Sequence, residues 1–401
     1  MEFTIHLQVL SLVFLGAVVL GAVANKTNFC TMGAVSDWVN MGDTGRLRAW
    51  LFAMSVALLG VMILEGAGKL VLPADTFPPY RTGNFAWLRY VLGGVMFGIG
   101  MTLGSGCGNK TCVRIGGGNL KSIVVLAIAS IAAYYMLWGD IGGVGFYDKF
   151  FNSWIAPSTI ELSAHGIASQ ELGAIVAGLT GASADTADLH FLVGGVLVAV
   201  MLGFIFKSAD FRTSFDNILG GLVVGLVVIG GWYVTGGRPM GAEWKEYAEL
   251  ATDIPSRVNV QSFTFISPMG DSVRYLLSPT NFTLINFGVM ALTGVIVGSF
   301  LYSVLFRKFR IEWFASGKDF VQHAVGALLM GIGGVLSMGC TIGQAVTGIS
   351  TLALGSILTF LAIVFGSALT MKVQYYQLDE LGFFSALRSA LADLRLLPRK
   401  A

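Results

Sequence analysis

Nine long apolar runs constrain what this chain can fold into more than any other feature of its sequence. An apolar run of about 20 residues crosses the bilayer core as an α-helix, because only an internally hydrogen-bonded backbone is stable in hydrocarbon. With 55% hydrophobic and 12% charged residues in 401, the chain is predicted to be an all-α integral membrane protein with about nine transmembrane helices. The runs occupy residues 5–24, 47–67, 88–106, 120–138, 189–206, 218–234, 283–306, 321–339 and 351–371.

Basic residues predict the orientation of these helices, because lysine and arginine collect in the cytoplasmic loops of membrane proteins. Here they follow the first, fifth, seventh and ninth runs, which places the N-terminus outside and the C-terminus in the cytoplasm. The long loops 139–188 and 235–282, which are rich in acidic residues such as Asp185, then lie outside. The basic residues behind this assignment are Lys26, Arg46, Arg48, Lys207, Arg212, Arg307, Lys308, Arg310, Lys372, Arg388, Arg395, Arg399 and Lys400.

The chain ends in a segment that is too short and too charged to cross a membrane. Between residues 378 and 396, leucine and phenylalanine recur on one helical face, with Arg388 and Arg395 on the opposite face. This amphipathic pattern predicts a helix that lies at the lipid surface. Residues 1–377 are therefore predicted to form a single transmembrane domain, and residues 378–401 a cytoplasmic tail.

Two stretches of the sequence match without gaps when Cys107 is aligned with Cys340. The segment Gly98-Ile99-Gly100 then falls on Gly331-Ile332-Gly333, and each cysteine follows a glycine. The shared pattern exceeds what a glycine-rich apolar composition produces by chance. It therefore indicates an internal repeat.

The number of helices predicts that the two repeats are inverted relative to the membrane. Residues 1–138 would form one repeat and residues 218–371 the other, with the linking helix 189–206 reversing the orientation between them. Transporters with inverted repeats bring broken helices from both sides to a site near the middle of the bilayer. In this topology the break at Cys30 corresponds to the end of the sixth helix, near Thr235, where the sequence has no cysteine.

Three of the four cysteines lie where an apolar run breaks into glycine and small polar residues, which predicts broken or re-entrant helices. These three are Cys30, Cys107 and Cys340. A thiol is soft and polarizable, and a break in a membrane helix exposes backbone N–H and C=O groups. The combination indicates a narrow path for a solute that contains sulfur or selenium. The competing interpretation is that each cysteine is a small apolar residue packed between helices.

Polar residues near these cysteines are secondary candidates for binding such a solute. The basic ones would hold an anion, helped by the N-terminal dipole of a following helix, or would simply anchor a helix end in the cytoplasm. The neutral ones carry amide or hydroxyl groups that hydrogen-bond an oxyanion. The fourth cysteine is either a second-tier member of the site or a packing residue. These candidates are Lys26, Asn109, Lys110, Cys112, Arg114, Thr341 and Gln344.

Other kinds of site are not indicated. Cys107 and Cys112 do not form a CxxC pair, and the histidines are scattered along the chain, so no metal site is predicted. No basic patch interleaved with aromatic residues points to nucleic acid. The sequence also predicts no cofactor, and it shows no clear carboxylate deep within a span.

In its three cysteine breaks, its repeat and its nine apolar runs, the chain resembles the YeeE/YedE family of bacterial inner-membrane proteins. The resemblance spans residues 5–371 and is carried by Asn28-Phe29-Cys30, Gly104–Cys107 and Gly339–Cys340. It implies a transporter rather than an enzyme, one that imports thiosulfate past these three cysteines. It also implies a cytoplasmic partner, a small sulfur carrier of the TusA type.

Two alternatives stay open from the sequence. One is a transporter for another soft solute, such as a selenium compound, a persulfide-like species or sulfite. The other is a membrane sulfur-transfer or redox enzyme, in which Cys107 beside Lys110 and Arg114 would form a persulfide through its thiolate.

Overall fold

A computed structural model describes residues 4–181 and 186–398 of the chain. Asp185, Arg399 and Lys400, which contributed to the charge pattern above, lie outside the described residues. Within the described ranges, nine helices are long and apolar enough to cross a membrane, which confirms the predicted all-α membrane class. They correspond one to one with the nine apolar runs, and the fourth, Leu120–Trp138, has the predicted bounds.

Helices account for most of the described chain, and strands for very little. In chain order the α-helices are α1 (Ile5–Lys26), α2 (Thr31–Ser36), α3 (Gly45–Gly66), α4 (Trp87–Leu103), α5 (Gly108–Gly116), α6 (Leu120–Trp138), α7 (Ser153–Ile155), α8 (Leu172–Thr180), α9 (Thr186–Phe206), α10 (Ala209–Thr213), α11 (Phe215–Gly236), α12 (Met240–Leu250), α13 (Ile266–Leu277), α14 (Phe287–Leu305), α15 (Gly317–Leu336), α16 (Leu354–Leu378) and α17 (Phe383–Asp393). Short π-helical segments cover Asp37–Met41, Asp148–Asn152 and Ile342–Gly348, and 3-10 turns cover Ala156–Ser158, Leu162–His165, Phe282–Leu284 and Ile349–Thr351. The strands β1 (Asn84–Phe85) and β2 (Ile160–Glu161) pair antiparallel. The membrane-spanning helices are α1, α3, α4, α6, α9, α11, α14, α15 and α16.

Polar caps determine where some of the spanning helices begin. Asn119 accepts a hydrogen bond from the Ser122 N–H at 3.0 Å at the start of α6. Asn286 accepts one from the Val289 N–H at 3.1 Å at the start of α14. Each cap satisfies a backbone donor that the first turn of a helix leaves free.

The two long loops that were predicted to lie outside contain helices that the sequence did not predict. The helices α7 and α8 fall within 139–188, and α12 and α13 fall within 235–282. The chain before α13 enters the protein interior, since every residue from 261 to 271 is buried. These elements were missed because each is shorter than the apolar run that marks a membrane span.

The C-terminal segment forms the predicted helix, and this helix packs against the ninth span. In α17, Ala386 and Ala390 are buried against Val373 of α16, while Phe384 stays 84% exposed. The ninth span itself continues to Leu378. Contact of the exposed face of α17 with lipid, and its cytoplasmic location, stay predictions.

The matched stretches of sequence pack in a reciprocal way. In the predicted repeats, α1, α3, α4 and α6 correspond to α11, α14, α15 and α16. The helix α1 packs along α14, and the corresponding pair α11 and α3 also packs together. In the same way α4 packs on α16, and α15 packs on α6. This exchange of partners is expected when two repeats are related by a twofold axis. The inversion of the repeats across the membrane stays a prediction.

Glycines of the repeated motif bring α4 and α15 into direct backbone contact. A Cβ atom added at Gly100 would lie 2.6 Å from the Gly326 carbonyl oxygen, and one added at Gly326 would lie 2.7 Å from the Gly100 oxygen. Likewise, a Cβ atom added at Gly93 would lie 2.8 Å from the Gly333 carbonyl oxygen, and one added at Gly333 would lie 2.8 Å from the Gly93 oxygen. The sequence alignment pairs Gly93 with Gly326 and Gly100 with Gly333. The two contacts are therefore equivalent under exchange of the repeats.

Candidate functional site

Three breaks in the membrane helices share one backbone conformation. Two residues beyond the end of α1, α4 and α15, a residue other than glycine adopts a positive φ, and a cysteine follows two residues later. The left-handed conformation costs such a residue about 1–2 kcal/mol. It is a common way to end a helix, and it also occurs beyond α14, α16 and α17. The φ angles are 52° at Asn28, 60° at Ser105 and 60° at Met338. The next N–H donates to a carbonyl five residues earlier, in the pairs Phe29 to Ala24 (3.1 Å), Gly106 to Met101 (2.8 Å) and Gly339 to Gly334 (2.8 Å).

Each of these cysteines stands at the start of a short helical segment. Cys30 precedes α2, Cys107 precedes α5, and Cys340 precedes a segment that continues as a π-helix. The Gly33 N–H donates to the Cys30 sulfur at 3.5 Å, and the Gly343 N–H donates to the Cys340 sulfur at 3.4 Å. Two of the sulfur atoms therefore act as N-caps, at helix ends where the partial positive charge favours anions.

The fold brings Cys30, Cys107 and Cys340 together in the protein interior, and we refer to them as the cysteine cluster. Cys107 has both of the other thiols as electrostatic neighbours. Cys30, Cys107 and Cys340 are 4%, 1% and 0% exposed, respectively. Cys112 is also buried and lies near Cys107 and Cys340. All four are free thiols, and a solute would reach them only after the protein rearranges.

Buried polar atoms that lack a strong protein partner surround the cysteine cluster. Within the part of the chain that the structure describes, Thr31 Oγ1 and Asn109 Oδ1 make no hydrogen bond, and Thr264 Oγ1 and Thr341 Oγ1 have only a thiol sulfur beside them. Thr31, Asn109 and Thr341 each follow a cysteine within two residues. Thr264 and Thr341 lie beside thiols of the cluster. An unsatisfied buried polar atom costs about 1–3 kcal/mol, so this concentration indicates a place where water or a ligand supplies the missing bonds.

The positive charge of Lys110, a residue of α5, lies beside the cysteine cluster. The Lys110 ammonium group has two thiols of the cluster as neighbours, and it donates a hydrogen bond to the Asn28 side-chain oxygen. Arg46 is also nearby, but its guanidinium is held by two hydrogen bonds to Asp37. Lys110 forms no ion pair with a carboxylate of the described ranges, so its charge is available to an anion.

Two of the other basic candidates have protein partners. Lys26 pairs with Asp216 at 2.6 Å on the exposed surface, so the structure does not bring it to the cysteine cluster. Arg114 donates to the Ser105 carbonyl oxygen at 2.6 Å. This bond braces the second break and fixes the approach of the chain to Cys107.

Gln344 braces the third break. Its side-chain nitrogen donates to the Ser337 carbonyl oxygen at 2.5 Å, and its side-chain oxygen accepts from the Ser356 hydroxyl at 2.6 Å. Because both ends of the amide are engaged, Gln344 orients the segment after Cys340, and each end keeps one further hydrogen-bonding position.

Residues from the connection between α3 and α4 hold the segment after Cys340 in place, and they were not predicted from the sequence. The Tyr80 hydroxyl donates to the Gly343 carbonyl oxygen at 2.6 Å, and Arg81 donates to the Thr351 carbonyl oxygen at 3.1 Å. Arg81 also pairs with Glu65 through hydrogen bonds of 2.7 and 3.0 Å. No sequence motif marks these contacts, because they depend on a loop that folds over a distant segment.

A second carboxylate joins this group of buried charges. His190 lies 3.2 Å from Glu65 and 3.1 Å from Glu171, and Glu171 accepts the Gly173 N–H at 2.8 Å. Burial disfavours the ionisation of Glu171, but the hydrogen bonds from His190 and Gly173 outweigh it and hold the pKa of Glu171 below its usual value. Neither these residues nor any other His, Cys, Asp or Glu group in the described chain is arranged to hold a metal ion.

Comparison with known proteins identifies the family. The Sulphur transport family matches residues 26–369, a region that contains all three cysteine breaks. The thiosulfate transporter TsuA of Escherichia coli (strain K12) is 25% identical over 347 residues, which cover 84% of this chain and 86% of that protein. The thiosulfate transporter TsuA of Spirochaeta thermophila is 22% identical over 368 residues, which cover 86% of this chain and 93% of that protein. Because the family match covers most of the chain, the chain belongs to the Sulphur transport (YeeE/YedE) family and is a transport protein rather than an enzyme.

Proposed function

We propose that this chain imports thiosulfate, or a closely related sulfur-containing anion, across the bacterial inner membrane. The observation that carries the proposal is the convergence of three alike helix breaks on one buried cluster of thiols, Cys30, Cys107 and Cys340. Two relatives that match over 84% and 86% of this chain are named thiosulfate transporters, which supports this choice of anion. In this proposal the terminal sulfur of the ion contacts the three thiols in turn.

Thiosulfate combines a soft terminal sulfur with hard oxygens, so its passage needs two kinds of partner. A charge in a low-dielectric interior is strongly disfavoured unless polar groups replace its hydration shell. The thiols are polarizable and offer weak S–H donors to the sulfur. Asn109, Thr341 and the N–H groups at the starts of the short helices would hydrogen-bond the oxygens, and Lys110 would balance the charge.

Transport also requires that no single position hold the ion too tightly, because the ion must leave as well as enter. Thiols are suited to this requirement, since S–H groups donate and accept only weakly. Cys107 and Cys340 are 1% and 0% exposed, so the described conformation is closed around the cluster. Passage of an ion therefore requires movement at the helix breaks.

We place the Lys110 side of the cysteine cluster toward the cytoplasm, following the orientation predicted from the basic residues. The N-terminus then lies outside, and residues 378–401 form a cytoplasmic tail whose exposed apolar side chains contact lipid. Residues 1–377 form the transport domain. An ion that leaves past Lys110 would be received by a small sulfur carrier of the TusA type, which we propose as the cytoplasmic partner.

Alanine variants of the cysteines test the proposal. We expect Cys107→Ala and Cys340→Ala each to abolish the uptake of radiolabelled thiosulfate into proteoliposomes, while the protein still inserts and elutes as a single species. Cys112→Ala is the matched control, because Cys112 is equally buried but lies within α5 rather than at a break. It should keep most of its uptake. Unchanged uptake in both Cys107→Ala and Cys340→Ala would refute the proposal.

Competition experiments test which feature of the anion is recognised. Sulfite and sulfate lack a terminal soft sulfur, so we expect both to compete poorly with thiosulfate. A selenium compound or a persulfide-like species retains a soft atom and would compete better if it were the true substrate. Sulfate that competes as well as thiosulfate would show that the site recognises charge alone.

A further inference from the structure

The break at Cys30 has no thiol as its counterpart in the second repeat. Matching the first helix with the sixth places that counterpart near Thr235, at the end of α11, and this placement stays a prediction. Thr235 Oγ1 donates to the Gln261 carbonyl oxygen at 2.6 Å and accepts from the Gln261 N–H at 3.0 Å. The hydroxyl therefore ties the end of α11 to a later connection. The chain passes through α12 and this connection before it reaches the cysteine cluster.

The packing of the repeats places Thr264 in the connection equivalent to the one that holds Cys30. Cys107 has Cys30 as a neighbour, and its counterpart Cys340 has Thr264 as a neighbour. Cys30 is the N-cap of α2, which leads into α3, and Thr264 stands two residues before the start of α13, which leads into α14. Because α3 and α14 exchange roles in the reciprocal packing, the two connections correspond.

Thr264 is built into the protein interior beside Cys340. It is 4% exposed, and its Oγ1 has only the Cys340 sulfur, a weak partner, beside it for hydrogen bonding in the described ranges. The backbone before it is fixed, since the Phe263 carbonyl oxygen accepts from the Thr347 hydroxyl at 2.7 Å. A Cβ atom at Gly343 would collide with Thr264 Oγ1. The glycine thus leaves room for this hydroxyl, next to the N–H group that caps the Cys340 sulfur.

We propose that Thr264 is a substrate-binding residue that completes the cysteine cluster, with a hydroxyl where a fourth thiol would stand. The inference rests on the proposed function, the transport of an anion with one soft sulfur and several hard oxygens. A hydroxyl donates to a charged oxygen more strongly than a thiol does. Thr264 therefore binds an oxygen of the ion while Cys340 contacts its sulfur. This mixed pair orients the ion, which the two neighbouring thiols of Cys30 and Cys107 cannot do.

Initial rates of thiosulfate uptake into proteoliposomes test the role of the hydroxyl. Thr264→Val keeps the shape of the side chain and removes the donor, whereas Thr264→Ser keeps the donor. The matched control is Thr359→Val, because Thr359 is 0% exposed and its Oγ1 has no partner among the described residues, but it lies on α16. We expect Thr264→Val to raise the KM about tenfold or more, the scale of one hydrogen bond to a charged group. The serine and control variants should stay within about threefold of the wild type.

The outcomes separate this inference from the proposed function. A KM for Thr264→Val that matches the control would overturn the role of the hydroxyl. A loss in Thr264→Ser as large as that in Thr264→Val would overturn it as well, because the side chain would then matter for packing only. Thr264→Ala supplies a second variant without the hydroxyl if the valine protein does not reach the membrane. A wild-type protein that takes up no thiosulfate would instead overturn the proposed function.

Discussion

The backbone contact between α4 and α15 leads to a prediction whose magnitude follows from the geometry. Gly100→Ala would place a Cβ atom 2.6 Å from both the Gly326 carbonyl oxygen and the Met330 nitrogen. A relaxed contact needs about 3.5 Å. Both neighbours are backbone atoms, so no side-chain rotation relieves the clash, and the two helices must separate by roughly 1 Å. Overpacking of this kind costs about 1–3 kcal/mol of stability.

Separating the two helices would also displace the cysteine cluster, because α4 leads into Cys107 and α15 leads into Cys340. A displacement of about 1 Å at a functional site is enough to lower a rate about 100-fold. We therefore expect Gly100→Ala to lower the temperature of thermal inactivation in detergent. We also expect it to reduce thiosulfate uptake by about tenfold or more, measured on the same purified protein.

A glycine in another spanning helix provides the control. Gly203 on α9 has no atom within 4 Å of an added Cβ, so Gly203→Ala should change neither quantity. Gly326→Ala should resemble Gly100→Ala, and the double variant should lose less than the sum of the two, because both substitutions address one contact. Equal inactivation temperatures for Gly100→Ala and Gly203→Ala would refute the close packing of α4 and α15.

Two further predictions concern charged residues. Lys110→Met should raise the KM for thiosulfate about tenfold, which is the scale of a hydrogen bond to a charged group. Lys26→Met should have little effect, because exposed ion pairs contribute little. Equal effects of the two substitutions on the KM would contradict the site assignment. The pKa of Glu171 in the folded protein lies below its ordinary value of 4.5, so its stabilising contribution is complete above that pH and disappears as the pH falls through the folded-state pKa. Thermal inactivation of Glu171→Gln should therefore depend less on pH than that of the wild type below about pH 4.5, and parallel curves for the two proteins would contradict the reasoning.

The membrane-spanning helices were predictable because the length of an apolar run is by itself a sufficient signal. The run that became α6 shows this best, since both of its ends were predicted correctly. The short helices α2, α5 and α13, of 6, 9 and 12 residues, lie below that length. Their burial depends on contacts with distant segments, which the local composition does not encode.

The candidate site was predictable where it depends on local sequence. Cys30 and Cys340 stood out because each follows an apolar run that breaks at small residues. Thr31 follows Cys30 as Thr341 follows Cys340, so the sequence alone is enough to place Thr31 beside the cluster. Thr264 has no local signal, because its place beside Cys340 arises from a connection that folds into the core. The pairing of Lys26 with a surface carboxylate likewise depends on a helix far along the chain.

The distribution of strong and weak contacts indicates where the closed protein opens. The helices α4 and α15 meet through closely packed backbone, and such an interface does not deform gradually. The short segment after Cys30 is held at its start by an N–H group that donates to sulfur at 3.5 Å, and sulfur is a weak acceptor. The segment after Cys340 has a similar sulfur cap at 3.4 Å, but Tyr80 and Gln344 also brace it. An anion oxygen is a stronger acceptor for the same N–H groups, so an arriving ion would displace the sulfur caps and release the thiols. We therefore expect opening to begin at the short segment after Cys30, while α4 and α15 stay in place as a fixed frame.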